Sequence, residues 1–388
     1  MPIDTLLDAA RELSSDRLGG PPTAAGVAPG RVEVLGNHTD YNDGYVLAAA
    51  IDRHVVVAGR PRADGAARVY SAAFDAQAGF DVNAPARTPR APWLDYVAGV
   101  AHELGRAGAP VSGFEAVISG DLPRDAGLSS SAALEVAAAR FLLELFPFDL
   151  APGDLARLCQ RAENEFVGVP CGILDQWTCV HGVADAALLL DCRELAHEAI
   201  PLGGAALVIA DTHAPRRLAD GGYERLRADC LAAAQALAAH VAGATHLRDI
   251  PLSVLEAHEH ELSADQARRA RHVLLENDRV LRGAQALRAR KPAAPGALMR
   301  ESHASSRELF GNSSPELDAM VRSARDLPGC YGARLSGGGF GGSTVNLVGA
   351  RAAEAFAPAL ARAYRARTRI APAVHVCRAA AGARGIRL

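Results

Sequence analysis

The segment SGDLPRDAGLSSSAALEVA, residues 119–137, joins a glycine- and serine-rich loop to the predicted start of a helix. Backbone N–H groups and the positive end of the helix dipole converge at such a start, so the loop favours an anion. Small residues let the backbone approach a polyphosphate, and a serine hydroxyl can bind Mg²⁺. A serine-capped helix would explain Gly-Leu-Ser alone. The longer run Pro-x-x-x-Gly-Leu-Ser-Ser-Ser-Ala-Ala favours a phosphate-binding loop.

Two carboxylates and an arginine could complete a phosphoryl-transfer site around that loop. Asp175 follows a Pro-Cys-Gly turn at the predicted start of a helix, and Glu163 lies on the preceding predicted helix. Phosphoryl transfer needs an acid that positions the acceptor, a carboxylate for the metal and a cation for the developing charge. Asp175, Glu163 and Arg31 supply these three types of group. Each acid also has a structural explanation, because acids stabilise the first turn of a helix or lie on solvated helix surfaces.

Two further motifs are less specific on their own. RVEVLGNHTDYNDG, residues 31–44, concentrates polar side chains between two apolar stretches. GGGFGG, residues 337–342, contains GxGxxG, but the strand-like STVNLV follows where a dinucleotide fingerprint requires a helix. This context excludes a Rossmann site, and a flexible hairpin would explain these glycines without any ligand. GxxxxGK[ST] is absent, and the single lysine, Lys291, is far from the serine loop in the sequence.

Helices and strands alternate around these motifs. Apolar periodicity predicts helices over residues 4–17, 129–146 and 154–167, and a long helix that Ser263 and Gln266 open as a capping box. Strands are predicted on both sides of residues 36–44 and of the GGGFGG run, and at FEAVISG and ALVIADT. The charged strip at 193–204 is predicted to cross between domains. The layout is α+β, in two halves, residues 1–195 and 196–388.

Composition excludes several classes of protein. With 388 residues, 49% of them apolar, the chain can bury sizeable cores. Forty-one basic and 44 acidic residues give a net charge of −3, which offers no argument for nucleic acid or a membrane surface. Seven scattered cysteines without a CxxC pair predict reduced thiols. No apolar run approaches the ~20 residues of a membrane span. We therefore expect a soluble, cytoplasmic protein.

Three segments, GRVEVLGNHTDYNDG, PRDAGLSSSAALEVA and GARLSGGGFGGSTV, stand in the order and spacing of the three motifs of the GHMP small-molecule kinases. Others, including VPCGILDQ and RESHASSRELFGNSSPELDAMV, resemble the galactokinases in particular. The resemblance implies a two-domain α+β fold, with an N-terminal mixed five-stranded sheet with helices and a C-terminal ferredoxin-like α+β layer. It implies ATP with Mg²⁺ as donor and the anomeric hydroxyl of D-galactose as acceptor. We expect a monomer or weak homodimer.

The resemblance also assigns roles to residues. Asp175 corresponds to the catalytic aspartate that withdraws or accepts the proton of the C1 hydroxyl, and Arg31 to the arginine that stabilises the transferring phosphoryl group. The expected sugar contacts are Asn37, His38, Asp40, Gly172 and Tyr223. The expected nucleotide contacts are Trp93, near the base, and the phosphate loop, Gly127, Leu128, Ser129, Ser130 and Ser131. The expected Mg²⁺ ligands are Ser130 and Glu163.

Departures from the galactokinase pattern concern the sugar. Asn37 stands where galactokinases usually have Glu, and Glu33 where they often have Asn. A carboxylate only accepts hydrogen bonds, whereas an amide accepts and donates. Because the family's Glu contacts the 6-hydroxyl, Asn37 leaves open a sibling sugar-1-kinase whose acceptor differs at C5 or C6. A non-catalytic sugar sensor is a third hypothesis, and the intact serine loop and Asp175 argue against it.

Overall fold

The computed structural model describes residues 1–124, 126–214 and 222–388. In these residues the helices are α1 (Ile3–Leu18), α2 (Pro92–Arg106), α3 (Ser130–Leu145), α4 (Pro152–Arg161), α5 (Leu174–His181), α6 (Gly222–Ala238), α7 (Leu252–His258), α8 (Ala264–Arg288), α9 (Ala293–Ser305), α10 (Pro315–Arg325) and α11 (Ala353–Thr368). The strands are β1 (Ala24–Leu35), β2 (Tyr45–Pro61), β3 (Ala66–Ser71), β4 (Ala76–Asp81), β5 (Phe114–Gly120), β6 (Ala186–Asp191), β7 (Ala196–Pro201), β8 (Ala205–Asp211), β9 (Cys330–Leu335), β10 (Ser343–Gly349), β11 (Ala373–Cys377) and β12 (Arg384–Arg387).

The larger sheet follows the order β12-β1-β2-β5-β3-β4, and β6 and β7 extend it from β2. Its strand pairs are antiparallel except β3 with β5, so the expected mixed sheet is confirmed. It has eight strands in the described residues rather than the expected five. One reason is that residues 196–201, predicted to cross between domains, form the edge strand β7. Only Ile200 of β7 is buried, so the strand lacks the apolar alternation that would predict it.

β1 and β2 form the centre of the larger sheet, and every residue of β1 is buried. Helix α1 packs against one face, and α2 and α3 pack against the other. Register shifts interrupt the β1–β2 pairing on both sides of the stretch from Arg31 to Glu33. Such irregularities re-aim side chains locally. They occur at the part of the strand that carries the predicted site residues.

The smaller sheet has the order β11-β8-β10-β9 and is antiparallel throughout. Helices α10 and α11 cover one face through a core that includes Met320, Phe356 and Tyr364. This arrangement confirms the expected C-terminal α+β layer. A buried ion pair joins the two sheets, because Nη1 of Arg334 on β9 lies 2.6 Å from Oε1 of Glu33 on β1.

The helices largely match their predictions. The capping box of Ser263 and Gln266 opens α8 as expected. The predicted helix over residues 154–167 is α4 followed by a π-helical turn, Ala162–Val167. π-helical turns recur at functional sites, and this one carries Glu163. In the described part of the chain, no helix combines the length and apolarity that crossing a membrane requires. The division at residues 195 and 196 stays a prediction, since β7 and β12 both pair within the larger sheet.

Candidate active site

A cavity of about 500 Å³ is lined by segments from both halves of the chain. Its walls are β1 and the binding loop (residues 36–44), the phosphate loop (residues 127–131), the segment before α5, the start of α6, and the glycine loop (residues 336–342). All the predicted site residues except Trp93 line it: Arg31, Asn37, His38, Asp40, Gly127, Leu128, Ser129, Ser130, Ser131, Glu163, Gly172, Asp175 and Tyr223. The cavity therefore collects side chains from motifs that are far apart in the sequence.

The phosphate loop turns into α3 through two left-handed residues, Gly127 with φ 72° and Ser129 with φ 57°. Ser129 is the N-cap residue, but its side chain makes no capping hydrogen bond. The serine-cap explanation of this loop is therefore not what the structure shows. The Ser129 hydroxyl instead donates to Oδ2 of Asp175 at 2.5 Å. The first residues of α3, Ser130 and Ser131, line the cavity, and an anion would be favoured at this helix start.

Asp175 lies in the first turn of α5, as predicted, and forms an ion pair with Arg31. The Nε and Nη2 atoms of Arg31 lie 2.7 Å and 2.6 Å from Oδ1 of Asp175, and Nη1 donates to the carbonyl of Gly127 at 2.9 Å. Burial opposes the charge of the guanidinium, but the charges of Asp175 and Glu33 outweigh it and hold the pKa of Arg31 above its usual value. A permanent cation thus connects the carboxylate to the phosphate loop.

Asp40 begins a 3₁₀ turn, Asp40–Asn42, in the middle of the binding loop. Burial, with the nearby charges of Asp175 and Glu33, raises the pKa of Asp40 to about 7. A Cβ atom on Gly172 would lie 1.8 Å from Oδ2 of Asp40. Glycine at position 172 therefore leaves space for this carboxylate beside the backbone.

His38 is neutral and fully engaged within the protein. Burial lowers the pKa of His38 to about 3. Its Nε2 atom lies 3.3 Å from the carbonyl of Gly338, which can only accept, so Nε2 carries the proton. Nδ1 then accepts from the Tyr41 hydroxyl at 2.9 Å. The rings of Phe310 and Tyr223 lie 4.4 Å and 5.4 Å from the His38 ring. A sugar hydroxyl could bind His38 only by replacing one of these two hydrogen bonds.

Asn37 connects the binding loop to the glycine loop and is 1% exposed. Its Nδ2 atom donates to the carbonyl of Gly337 at 2.9 Å. Its Oδ1 atom accepts from Nδ2 of Asn312 at 2.9 Å and from the Ser306 hydroxyl at 3.1 Å. The amide thus donates one of its two N–H groups and accepts twice at Oδ1, all with protein groups. These contacts hold the glycine loop in place. The explanation of its sequence as a flexible hairpin did not predict them.

Glu276 on α8 does not line the cavity but supports the binding loop, a role that the sequence analysis missed. Its Oε1 atom accepts from the backbone N–H groups of Gly36 and Asn37, at 2.9 Å and 3.3 Å, and from the Ser302 hydroxyl at 2.7 Å. Its Oε2 atom pairs with Nε of Arg279 at 2.6 Å. Burial acts to raise the pKa of Glu276, but Arg279 and its other partners lower it to about 2. Glu276 therefore fixes the start of the binding loop.

Glu163, the predicted metal carboxylate, lines the cavity. It is buried beside the phosphate loop, where burial and the charge of Asp175 raise the pKa of Glu163. A divalent cation would offset this crowding of negative charge. The Ser131 hydroxyl hydrogen-bonds to Glu163, and Ser130 lines the same cavity. A carboxylate and hydroxyl oxygens suit Mg²⁺, so the residues present fit that ion.

Trp93 is the predicted site residue that does not line the cavity. It is the second residue of α2 and stacks on the ring of Phe74, with centroids 6.0 Å apart and planes 15° apart. Tyr96, almost one turn further along α2, does line the cavity. The assignment of Trp93 to the nucleotide base stays a prediction, and the sequence analysis missed Tyr96.

The chain is similar to known kinases over nearly its whole length. Residues 95–183 match the model of the GHMP kinases N-terminal domain, residues 15–61 the galactokinase galactose-binding signature, and residues 284–366 the GHMP kinases C-terminal domain. A galactokinase from Roseiflexus sp. (strain RS-1) is 48% identical over 92% of this chain and 91% of the relative. One from Bos taurus is 41% identical over 90% of this chain and 89% of the relative.

The chain is also similar to solved structures of kinases. The crystal structure of Lactococcus lactis galactokinase complexed with galactose has a TM-score of 0.92 at 30% identity, covering 98% of this chain and all of that one. The chain shares its fold with Methanococcus jannaschii mevalonate kinase, whose TM-score is 0.64 at 16% identity. That match covers 92% of this chain and 98% of that one. The chain belongs to the galactokinase family of the GHMP kinases.

Proposed function

We propose that this kinase transfers the terminal phosphoryl group of ATP to the anomeric C1 hydroxyl of D-galactose, producing galactose 1-phosphate and ADP. The observation that carries the proposal is the cluster of Arg31, Asp175 and Ser129 between the phosphate loop and the binding loop. This cluster joins an acceptor-side acid to a donor-side anion site. Membership of the galactokinase family supports galactose and ATP as the substrates.

Asp175 positions the acceptor and receives its proton. As the C1 oxygen bonds to the terminal phosphorus, the bond from that phosphorus to the bridging oxygen of ADP breaks, and the proton of the C1 hydroxyl passes to Asp175. The transition state is loose, so orientation and charge stabilisation contribute most of the rate. Arg31 contributes charge stabilisation, since it contacts both Asp175 and the phosphate loop. The Ser129 hydroxyl holds Oδ2 of Asp175 and fixes the orientation of the carboxylate.

Mg²⁺ would neutralise charge on the ATP phosphates when bound. Glu163, with the hydroxyls of Ser130 and Ser131, would hold it at the start of α3. The sugar would lie toward Asp40, Gly172 and Tyr223, with His38 and Asn37 behind them in the binding loop. The cytoplasmic location and the monomeric or weakly dimeric state stay predictions.

A sibling activity on a sugar that differs at C5 or C6 is the second candidate. It is favoured by one observation, namely that the amide of Asn37 is hydrogen-bonded to protein groups. A residue in that state offers less to a 6-hydroxyl than a free carboxylate would.

A coupled ADP-release assay over a panel of sugars tests both candidates. The panel holds D-galactose, its 6-deoxy derivative, the 6-carboxylate D-galacturonate and the pentose L-arabinose, which lacks the C6 group. We expect D-galactose to have the highest kcat/KM, and Asp175→Ala to be inactive on every sugar. A higher kcat/KM for another member would support the sibling activity, and equal rates in Asp175→Ala would contradict the mechanism.

The raised pKa of Asp40 predicts a pH-dependent sugar affinity. Below about pH 7 this carboxyl is protonated in the free enzyme, and above it the carboxylate accepts hydrogen bonds from two sugar hydroxyls. The kcat/KM for galactose should therefore rise between pH 6 and pH 8, because kcat/KM reports the free enzyme. Asp40→Asn should have a lower kcat/KM without this inflection. An unchanged inflection in Asp40→Asn would assign the titration to another group.

A further inference from the structure

Two histidines and a glutamate converge on the surface away from the cavity. His240 follows α6, His258 ends α7, and Glu261 ends the 3₁₀ turn Glu259–Glu261. The Nε2 atom of His240 lies 3.0 Å from Oε2 of Glu261, and the Nδ1 atom of His258 lies 2.9 Å from Oε1. The two imidazole rings stack, with centroids 3.5 Å apart and planes 15° apart. One ligand atom from each residue thus lies within 4.8 Å of the others.

These atoms form a donor set for a transition-metal ion. Two imidazole nitrogens and one carboxylate oxygen, with open positions for water, suit ions such as Zn²⁺. Ligands of a tetrahedral Zn²⁺ lie about 3.3 Å from one another, given metal–ligand distances of roughly 2.0–2.2 Å. The two nitrogen–oxygen distances, 3.0 Å and 2.9 Å, are those of hydrogen bonds to different oxygens of Glu261. Because an imidazole nitrogen binds a metal in the plane of its ring, the two stacked rings must turn apart for both nitrogens to reach one ion. Binding would replace the two N–H···O hydrogen bonds with metal–ligand bonds and release the protons concerned.

The three side chains are partly open to solvent. Their exposed fractions are 27% for His240, 31% for His258 and 36% for Glu261. An ion therefore has a path of entry and room for water ligands. Mg²⁺ is a poor fit, because it prefers six oxygen ligands and keeps most of its water. The donor set distinguishes this cluster from the oxygen ligands beside the phosphate loop.

We propose that His240, His258 and Glu261 form a binding site for a divalent transition-metal ion such as Zn²⁺, separate from the Mg²⁺ of the kinase reaction. The ion would connect His240, two residues after the end of α6, to His258 at the end of α7 and so close the intervening chain into a loop. Because binding to the folded state stabilises it, the ion should raise the unfolding temperature. Catalysis does not require this site, since no member lines the cavity.

Titration of the chelator-treated, full-length protein with ZnCl₂ tests the site. Calorimetry should find one saturable Zn²⁺ site that His240→Ala weakens about tenfold or more. Saturating Zn²⁺ should raise the Tm of the wild type by about 2–4 °C. His240→Ala and Glu261→Gln should lose this shift but melt like the wild type in EDTA and keep its kinase activity with Mg²⁺ and ATP.

His260→Ala is the matched control, because it removes a neighbouring histidine that is 75% exposed and outside the triad. This variant should bind Zn²⁺ as the wild type does. Co²⁺ should give visible absorption bands in the wild type and not in His258→Ala. Equal Zn²⁺ affinity in the wild type, His240→Ala and Glu261→Gln would place the ion elsewhere, for example on a thiol, and would overturn the proposal.

Discussion

Replacing Asp175 with Asn should lower kcat for galactose phosphorylation by about 10²–10⁴-fold. The amide keeps the shape of the side chain and one oxygen for Arg31, but it cannot take a proton from the C1 hydroxyl. In the wild type the Ser129 hydroxyl donates to Asp175. In the variant the NH₂ group of the amide can donate to that hydroxyl instead. We therefore expect the protein to fold and to bind both substrates. Single-turnover kinetics would measure the loss, and calorimetry would measure galactose affinity.

Ser129→Ala is the matched control for this prediction. It removes the hydrogen bond to Oδ2 of Asp175 and leaves the carboxylate and its ion pair with Arg31 in place. Its kcat should fall much less than that of Asp175→Asn, because it disturbs orientation only. If Asp175→Asn retained the wild-type kcat, Asp175 would have neither a basic nor an electrostatic role in the reaction.

Replacing Asn37 with Glu should destabilise the protein rather than raise its kcat/KM for galactose. If Asn37 were a tolerated drift from the family's Glu, this change would raise kcat/KM for galactose. The contacts of Asn37 lead to the opposite expectation. A carboxylate would meet the carbonyl of Gly337 without a donor, in a position that is 1% exposed. We expect the free energy of unfolding to fall by about 1–3 kcal/mol and kcat/KM for galactose to fall with it.

Asn37→Asp separates the effect of charge from that of size. It keeps the shape of Asn37 and still accepts from Asn312 and Ser306, but loses the donor to Gly337. Urea unfolding should show a loss similar to that of Asn37→Glu if the missing donor is the cause. A smaller loss in Asn37→Asp would assign the rest to the added methylene. A stable Asn37→Glu variant with a higher kcat/KM for galactose would show that the amide contacts are dispensable.

The sequence predicted the parts of the site that have local patterns. The phosphate loop, the capping box of α8 and the position of Asp175 at a helix start follow from short segments. The closeness of Arg31 and Asp175, which are 144 positions apart, was expected from the family resemblance and the needs of phosphoryl transfer. Physical patterns within either segment alone carried no information on that distance.

The supporting contacts could not be predicted in the same way. Glu276 and Arg279 are three residues apart on a helix, which is the pattern of a solvated surface pair. Only the fold buries them under the binding loop, about 240 positions away in the sequence. Asn312 and Ser306 likewise meet Asn37 across more than 260 positions. The edge strand β7 was missed because only one of its residues is buried.

The ion pair of Glu33 and Arg334 has a consequence for how substrates enter. It crosses from β1 to β9 with both partners buried, and Glu33 itself lines the cavity. Removing one partner of a buried ion pair costs about 3–5 kcal/mol. Separating the two sheets at this contact would likewise leave buried charges without partners. We therefore expect the two sheets to keep this contact while substrates enter and leave the cavity.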